Sequence, residues 1–384
     1  MNPWEKDGKS VKVLMTGGGT GGHVYPAVAI ANTIKNNLID AEIAFVGTPR
    51  GIENKICKTE GYPIYHVDVR GMDRSNPLKN FRSLYLAAVS PRRAMAVLEA
   101  FRPDIVIGTG GYVSWPIMKA AVKAGIPTVL HESNVYPGLT VRQLQDQVDR
   151  ILLNFAETAD YLKKVDPENL LCVGNPLRTG FETMTKEAAR KRLNLPDNVR
   201  VLLSYGGSRG AQRVNETVVE LMKRFDRSHP EVLHIHATGD IGAESFRVKF
   251  KEAGLHQCEN IRLYSYINDM PAAMAAADLV ICRAGAMTIS EIAMTRKPAI
   301  FIPSPNVAEN HQYKNAKLLA DHGAAVVLEE KNLSPERLQR EVESLLFNGD
   351  VLRSMSALVG DFANPNANRL IYDEVIKLVN SHLS

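Results

Sequence analysis

The residues best suited to chemistry lie in glycine-rich runs. Residues 14–23 read LMTGGGTGGH, five glycines and a histidine between a short apolar run and a helical pattern. A histidine in the first turn of a helix, beside bare backbone amides, can act as a general base, its neutral form favoured by the positive helix end. His23 can equally be a cap or a surface residue. Residues 203–211, LSYGGSRGA, again join an apolar run to a helical one. Their amides and the Ser208 hydroxyl can hold a diphosphate, and can stabilise a leaving diphosphate without a metal. Residues 282–291, CRAGAMTISE, form a third such turn, and the Glu291 carboxylate on its helix can accept both hydroxyls of a ribose. The commoner fate of a helical glutamate is a solvated charge.

Three further clusters follow apolar runs. GTGGYVSWP at 108–116 supplies an amide-rich turn and a possible second diphosphate site. LHESN at 130–134 places His131, Glu132, Ser133 and Asn134 at a strand end, a site or a capped loop. NVAENHQYKNA at 306–316 brings Gln312, which can bind sugar hydroxyls or cap a helix. Gly17, Gly19 and Gly22 also satisfy G-x-G-x-x-G, the dinucleotide fingerprint. That fingerprint requires an acid at the end of the second strand. Here Asp40 and Glu42 precede the run at 43–46, which ends in Gly47 and Thr48. Hydride transfer with a nicotinamide cofactor is therefore disfavoured.

The elements that must position these residues alternate regularly. Strand-like runs at 11–15, 43–46, 65–67, 105–107, 128–130, 151–153 and 171–173 are separated by amphipathic segments, and the pattern resumes at 201–205, 233–237, 261–263, 279–281, 299–302 and 325–328. Such alternation predicts α/β architecture, two Rossmann-like doubly wound parallel sheets facing across a cleft. Gly174, Pro176 and Gly180 punctuate a linker at 173–182. The expected domains are 1–175, with the C-terminal segment 365–384 packing back on it, and 176–364.

Composition narrows the class. The chain has 384 residues, 45% apolar and 23% charged, which predicts two cores and no bulk disorder. A net charge of +4 gives no case for nucleic acid as a partner. Cys57, Cys172, Cys258 and Cys282 are scattered, so neither a disulfide framework nor a zinc site is indicated, and a reducing cytoplasm fits. The start MNPWEKDGKS lacks the apolar region of a signal peptide. No apolar run approaches the ~20 residues needed to span a bilayer, so membrane contact is expected to be peripheral.

The motifs GGTGGHVYPA, GTGGYVS, LHESN, GNPLR, GGSRGA, RAGAMTISE and NHQYKNA occur in this order over nearly the whole chain. In them the chain resembles the bacterial peptidoglycan transferases of the GT-B fold that add N-acetylglucosamine to lipid I. The resemblance implies inverting transfer from UDP-N-acetylglucosamine to the muramic acid 4-hydroxyl of undecaprenyl-linked lipid I, forming lipid II. No cluster of His, Cys or carboxylates has ligand spacing, and helix ends can neutralise the diphosphate, so no metal and no cofactor are expected. The diphosphate of the donor falls on Ser208 and on Ala286, Met287 and Thr288, its ribose on Glu291, and its uracil near Ile267 and Arg178. The sugar hydroxyls fall to Gln312 and Asn134, with Thr20, Gly21 and Gly22 closing from the other domain. His23 matches the family's candidate base, with Glu132 a second choice, and Gly110, Gly111 and Tyr112 match its acceptor diphosphate site. Trp115 stands where glycine is usual, and Arg209 where glutamine is frequent.

A lipid-linked acceptor also calls for a docking surface. Residues 70–93 mix apolar Met72, Phe81, Leu84 and Tyr85 with basic Arg70, Arg74, Lys79, Arg82, Arg92 and Arg93. Such a segment can lie on an anionic leaflet, each basic group contributing about 1 kcal/mol, or can be an ordinary amphipathic helix with a solvated face. The resemblance places the protein at the cytoplasmic face of the bacterial membrane, with other cell-wall synthesis proteins as further expected partners. Diacylglycerol glycosyltransferases share fold and donor site, and UDP-N-acetylglucosamine 2-epimerases share the paired domains; acceptor choice separates the first from this reading, and the absence of any lipid acceptor the second. A non-catalytic nucleotide-sugar sensor leaves His23 without a role.

Overall fold

The computed structural model describes residues 10–69, 81–196, 198–207 and 209–383, and of 81–89 and 383 the backbone alone. The chain divides into two compact units, Met1–Leu177 with Asn366–Ser384, and Arg178–Pro365.

In the first unit the β-branched runs become seven strands: β1 (Lys12–Thr16), β2 (Glu42–Gly47), β3 (Ile64–His66), β4 (Ile105–Gly108), β5 (Thr128–Glu132), β6 (Arg150–Leu153) and β7 (Leu170–Cys172). Helices α1 (Gly21–Asn37), α2 (Glu53–Glu60), α3 (Phe81–Phe101), α4 (Ser114–Ala124) and α5 (Leu139–Leu144) lie between them in sequence. The strands pair in parallel in the order β3-β2-β1-β4-β5-β6-β7. Strand order reverses between β1 and β4, so the loops leaving these two strands diverge at the carboxyl edge and open a crevice there.

The second unit repeats the plan. Its strands are β8 (Arg200–Tyr205), β9 (Val232–Ala237), β10 (Ile261–Tyr264), β11 (Leu279–Cys282), β12 (Ala299–Phe301) and β13 (Val326–Val327). Its helices are α6 (Lys186–Arg192), α7 (Gln212–Leu221), α8 (Ala243–Glu252), α9 (Met270–Ala276), α10 (Ala286–Met294), α11 (His311–Asp321), α12 (Pro335–Leu346) and α13 (Gly349–Gly360). The parallel order β10-β9-β8-β11-β12-β13 puts the reversal between β8 and β11. Strands β3 and β7 begin one residue earlier than the apolar runs predict, and β13 is two residues shorter at its ends. All three are edge strands, whose extent is set by pairing with a single neighbour.

The last helix, α14 (Ala367–Leu383), belongs to the first unit. Its Ile371, Val375, Leu378 and Val379 are buried in one cluster with Val24, Val28, Ile30 and Ile34 of α1 and with Val13, Met15 and Phe45 of the sheet. Each such aliphatic side chain contributes roughly 1.5–3 kcal/mol on burial, so α14 is part of that core. Asn368 holds the chain where it leaves the unit: its Oδ1 accepts from Leu177 N at 3.1 Å and its Nδ2 donates to Leu177 O at 2.9 Å. Among the described residues no helix is long and apolar enough to cross a membrane.

Both cores contain neutral histidines. His131 at the end of β5 donates from Nε2 to Gly174 O at 2.9 Å, and burial pushes its pKa down to about 4. In the second unit Ser204 Oγ lies 2.7 Å from both His234 Nε2 and His236 Nδ1, and His234 Nδ1 lies 2.7 Å from Asp226 Oδ2. Burial, then the neighbouring His234, pushes His236 to about 3. Between these values and the ordinary 6.5 the unfolded chain binds more protons than the native one, so both groups favour folding above pH 6.5 and lose that contribution as pH falls. At roughly 1.4 kcal/mol per pH unit, His131 alone costs about 2 kcal/mol of stability by pH 5. A His131→Gln variant, whose amide can still donate to Gly174, is expected to lose less melting temperature than wild type between pH 7 and pH 5. Equal losses would contradict the assignment.

Candidate functional site

At the switch point of the first unit the β1–α1 loop and the β4–α4 loop interlock. Thr20 is the N-cap of α1 but makes no side-chain cap bond; instead its Oγ1 lies 3.1 Å from His23 Nδ1. The Thr109 hydroxyl donates to His23 O at 2.6 Å, and Ser114 Oγ lies within hydrogen-bond reach of Thr16 O at 2.9 Å and Gly110 O at 2.7 Å. Gly110 and Gly111 have φ of +96° and +82°. A Cβ on Gly110 would stand 3.0 Å from His23 Cδ2, and one on Gly111 would meet Gly18 O at 2.2 Å. Only glycine permits both the left-handed backbone and this approach. Tyr112 follows, half exposed, with its ring 2.6 Å from where a Cβ on Gly19 would sit. Thr20, His23, Gly110, Gly111 and Tyr112 are thus brought together. Gly21 and Gly22 form the first turn of α1 beside them.

Trp115 follows this loop. It lies on α4, partly buried against the cluster that includes Ile117 and Leu130.

In the LHESN segment His131, Glu132 and Ser133 are buried and Asn134 is half-buried. Glu132 is buried, and its Oε1 accepts from Asn134 N at 2.9 Å and Asn134 Nδ2 at 3.1 Å while Oε2 accepts from Gly138 N at 2.7 Å. Burial raises its pKa against those bonds. The carboxyl therefore shapes its own loop and holds the Asn134 side chain, which disfavours its use as a free base.

In the second unit α7 starts from Ala211 and α10 from Gly285, neither of which offers a side-chain cap. In the same unit α8 and α11 also start without a side-chain cap, whereas α6, α9, α12 and α13 are capped by Thr185, Asp269, Ser334 and Asn348. A helix start without a capping side chain suits an anionic ligand. Gly210, at φ +80°, packs so closely on Thr238 O that a Cβ would meet it at 2.1 Å. The Arg209 carbonyl accepts from Asp240 N at 3.0 Å and Ile241 N at 2.8 Å. Any residue supplies that carbonyl, glutamine or arginine alike. Ser208 lies outside the described residues.

Around α10, Ala286 is buried and Met287 and Thr288 are partly exposed. Burial pushes the Glu291 carboxyl up to about 7, with Arg178 opposing. Sequence reasoning missed Tyr205, which ends β8 buried beside Cys282, Thr288 and Glu291; burial first, then Cys282 and Glu291, hold its phenol well above the usual value, with the Thr288 hydroxyl opposing. Ile267 is buried and Arg178 exposed. Gln312, in the first turn of α11, accepts at Oε1 from Ser304 N at 2.8 Å, shaping the loop after β12. The side chains of Phe81, Arg82, Leu84 and Tyr85, and residues 70–80, lie outside the described residues; Arg93 pairs with Asp68 at 3.4 Å.

Two doubly wound parallel-sheet units, each with glycine-rich loops opening onto helices at its switch point, define a GT-B type of architecture, and the family matches agree. The glycosyltransferase family 28 N-terminal domain matches residues 13–153, and its C-terminal domain matches residues 201–370. A curated relative from Acetivibrio thermocellus, UDP-N-acetylglucosamine--N-acetylmuramyl-(pentapeptide) pyrophosphoryl-undecaprenol N-acetylglucosamine transferase, is 40% identical over 96% of this chain and 98% of its own. The enzyme of the same name from Clostridioides difficile is 38% identical over 97% of this chain and 90% of its own. The solved Acinetobacter baumannii MurG is 30% identical, with a TM-score of 0.73, covering 97% of this chain and 99% of that one. The chain belongs to this family of N-acetylglucosamine transferases. UDP-GlcNAc 2-epimerase from Neisseria meningitidis, at 13% identity and a TM-score of 0.65, shares the fold alone.

Proposed function

We propose that the protein transfers N-acetylglucosamine from UDP-N-acetylglucosamine to the muramic acid 4-hydroxyl of lipid I, with inversion, giving lipid II. Family membership over 96% of the chain carries this reading. The second unit takes the donor. The amides of the loop at Ser208 and of Ala286, Met287 and Thr288 receive the diphosphate, Glu291 the ribose, and Ile267 and Arg178 the uracil. Gln312 and Asn134 meet the sugar hydroxyls, with Thr20, Gly21 and Gly22. The first unit takes the acceptor, its diphosphate on Gly110, Gly111 and Tyr112.

His23 removes the proton from the acceptor hydroxyl as its oxygen attacks the anomeric carbon, and the bond to UDP breaks on the opposite side. Helix-start amides stabilise the charge that develops on the leaving diphosphate. A single displacement inverts the anomeric centre, so an α-linked donor gives a β-linked product, which NMR of the product's anomeric proton checks. An α linkage would overturn the single-displacement step.

The enzyme works at the cytoplasmic face of the cell membrane as a peripheral protein, docking through 70–93 on anionic lipid. Replacing Phe81, Leu84 and Tyr85 with serine is expected to lower binding to anionic vesicles at least ten-fold in a flotation assay; unchanged binding would remove this surface.

A further inference from the structure

Glu53 has no part in the scheme above, yet the loops of the acceptor side meet on it. It opens α2, just after the turn that leaves β2, and is 1% exposed. Oε1 accepts from Thr48 N and from Thr48 Oγ1, each at 2.8 Å. Oε2 faces Gly19 N at 3.4 Å, which ties the carboxyl to the β1–α1 loop that carries His23. Three glycines make room for it. A Cβ on Gly47 would stand 2.5 Å from Glu53 Cγ, one on Gly51 1.9 Å from Oε1, and one on Gly18 3.2 Å from Cδ.

The Tyr112 phenol closes the group. Burial, then the Glu53 charge, raises its pKa, and the Thr48 side chain opposes the rise as a hydrogen-bonding neighbour. Among the described residues no lysine or arginine forms an ion pair with Glu53. A carboxyl buried without a cation is costly unless its hydrogen bonds are fixed, so this one holds Thr48 and Gly19 at set positions.

We propose that Glu53 is a positioning residue for acceptor binding, joining the ends of β1, β2 and β4 so that the glycine loop at Gly19 and the Tyr112 side chain are held beside the place where the acceptor's diphosphate arrives. The inference rests on the transferase reading and on the placement of that diphosphate at Gly110, Gly111 and Tyr112. Glutamine keeps one oxygen for Thr48 but turns the group facing Gly19 N–H into a donor, which releases the glycine loop without changing side-chain size.

The test is Glu53→Gln in the full-length enzyme, assayed with UDP-N-acetylglucosamine and a lipid I analogue. Acceptor KM is expected to rise by roughly ten-fold or more, with kcat within about three-fold and UDP affinity unchanged, the pattern of lost acceptor binding. Thr48→Val, which removes the hydroxyl between Glu53 and Tyr112 at constant volume, carries the same expectation and serves if the first variant is poorly folded. An acceptor KM within two-fold of wild type in either folded variant would overturn the inference, as would a parallel loss of UDP affinity. Absence of acceptor-dependent turnover in the wild-type enzyme would instead remove the transferase reading, and this inference with it.

Discussion

His23→Ala is expected to lower kcat by ~10²–10⁴-fold, the usual worth of a positioned general base, while UDP-N-acetylglucosamine affinity stays within about two-fold of wild type. The expectation follows from how the ring is held. Thr20 Oγ1 lies 3.1 Å from Nδ1, the Thr109 hydroxyl anchors the His23 carbonyl at 2.6 Å, and the Gly110 and Gly111 backbones flank the ring. That framework fixes the ring's orientation, and none of it belongs to the donor unit. A group used only as the hydroxyl is deprotonated should change kcat and kcat/KM together and leave donor binding alone. Stopped-flow turnover paired with calorimetric titration of the donor checks both halves. A fall of less than three-fold would move the base elsewhere.

Glu291→Gln is expected to weaken UDP-N-acetylglucosamine binding by ~10²-fold, because two charge-assisted hydrogen bonds to ribose hydroxyls become one neutral acceptor and one misplaced donor. The wild-type pH dependence is the sharper reading. With its carboxyl pushed up to about 7 by burial, Glu291 is mostly protonated at pH 6 and mostly ionised at pH 8. Only the ionised form accepts from both hydroxyls, so affinity should tighten as pH rises, by about ten-fold over those two units. The donor's diphosphate does not titrate in this range. Glutamine should flatten the profile; a wild-type affinity that is level from pH 6 to pH 8 would remove Glu291 from the ribose.

Much of this was legible in the sequence because glycine runs and β-branched runs report backbone demands directly. Gly17, Gly110 and Gly210 sit where a Cβ would strike Thr109, His23 or Thr238, and such positions admit no substitute that keeps the loop. Side-chain direction was less legible. Glu132 stands at a strand end where polar groups commonly face ligand, but it turns back onto Asn134 and Gly138, while Gln312 in the first turn of α11 engages its Oε1 with Ser304 N. Nothing in the spacing of LHESN or NHQYKNA distinguishes those outcomes. Glu53 was illegible for another reason: its contact with Gly19 spans 34 residues and arises only once β2 pairs beside β1. Tyr205 looked like the last residue of a strand, which it is, and its neighbours Cys282 and Thr288 arrive from β11 and α10.

The most direct test of the whole account is UDP release from UDP-N-acetylglucosamine by the purified protein, with and without a lipid I analogue. The account predicts release that requires the analogue and yields a lipid-linked disaccharide in equal amount. Conversion of the donor to its 2-epimer without the analogue, and no disaccharide with it, would contradict the account.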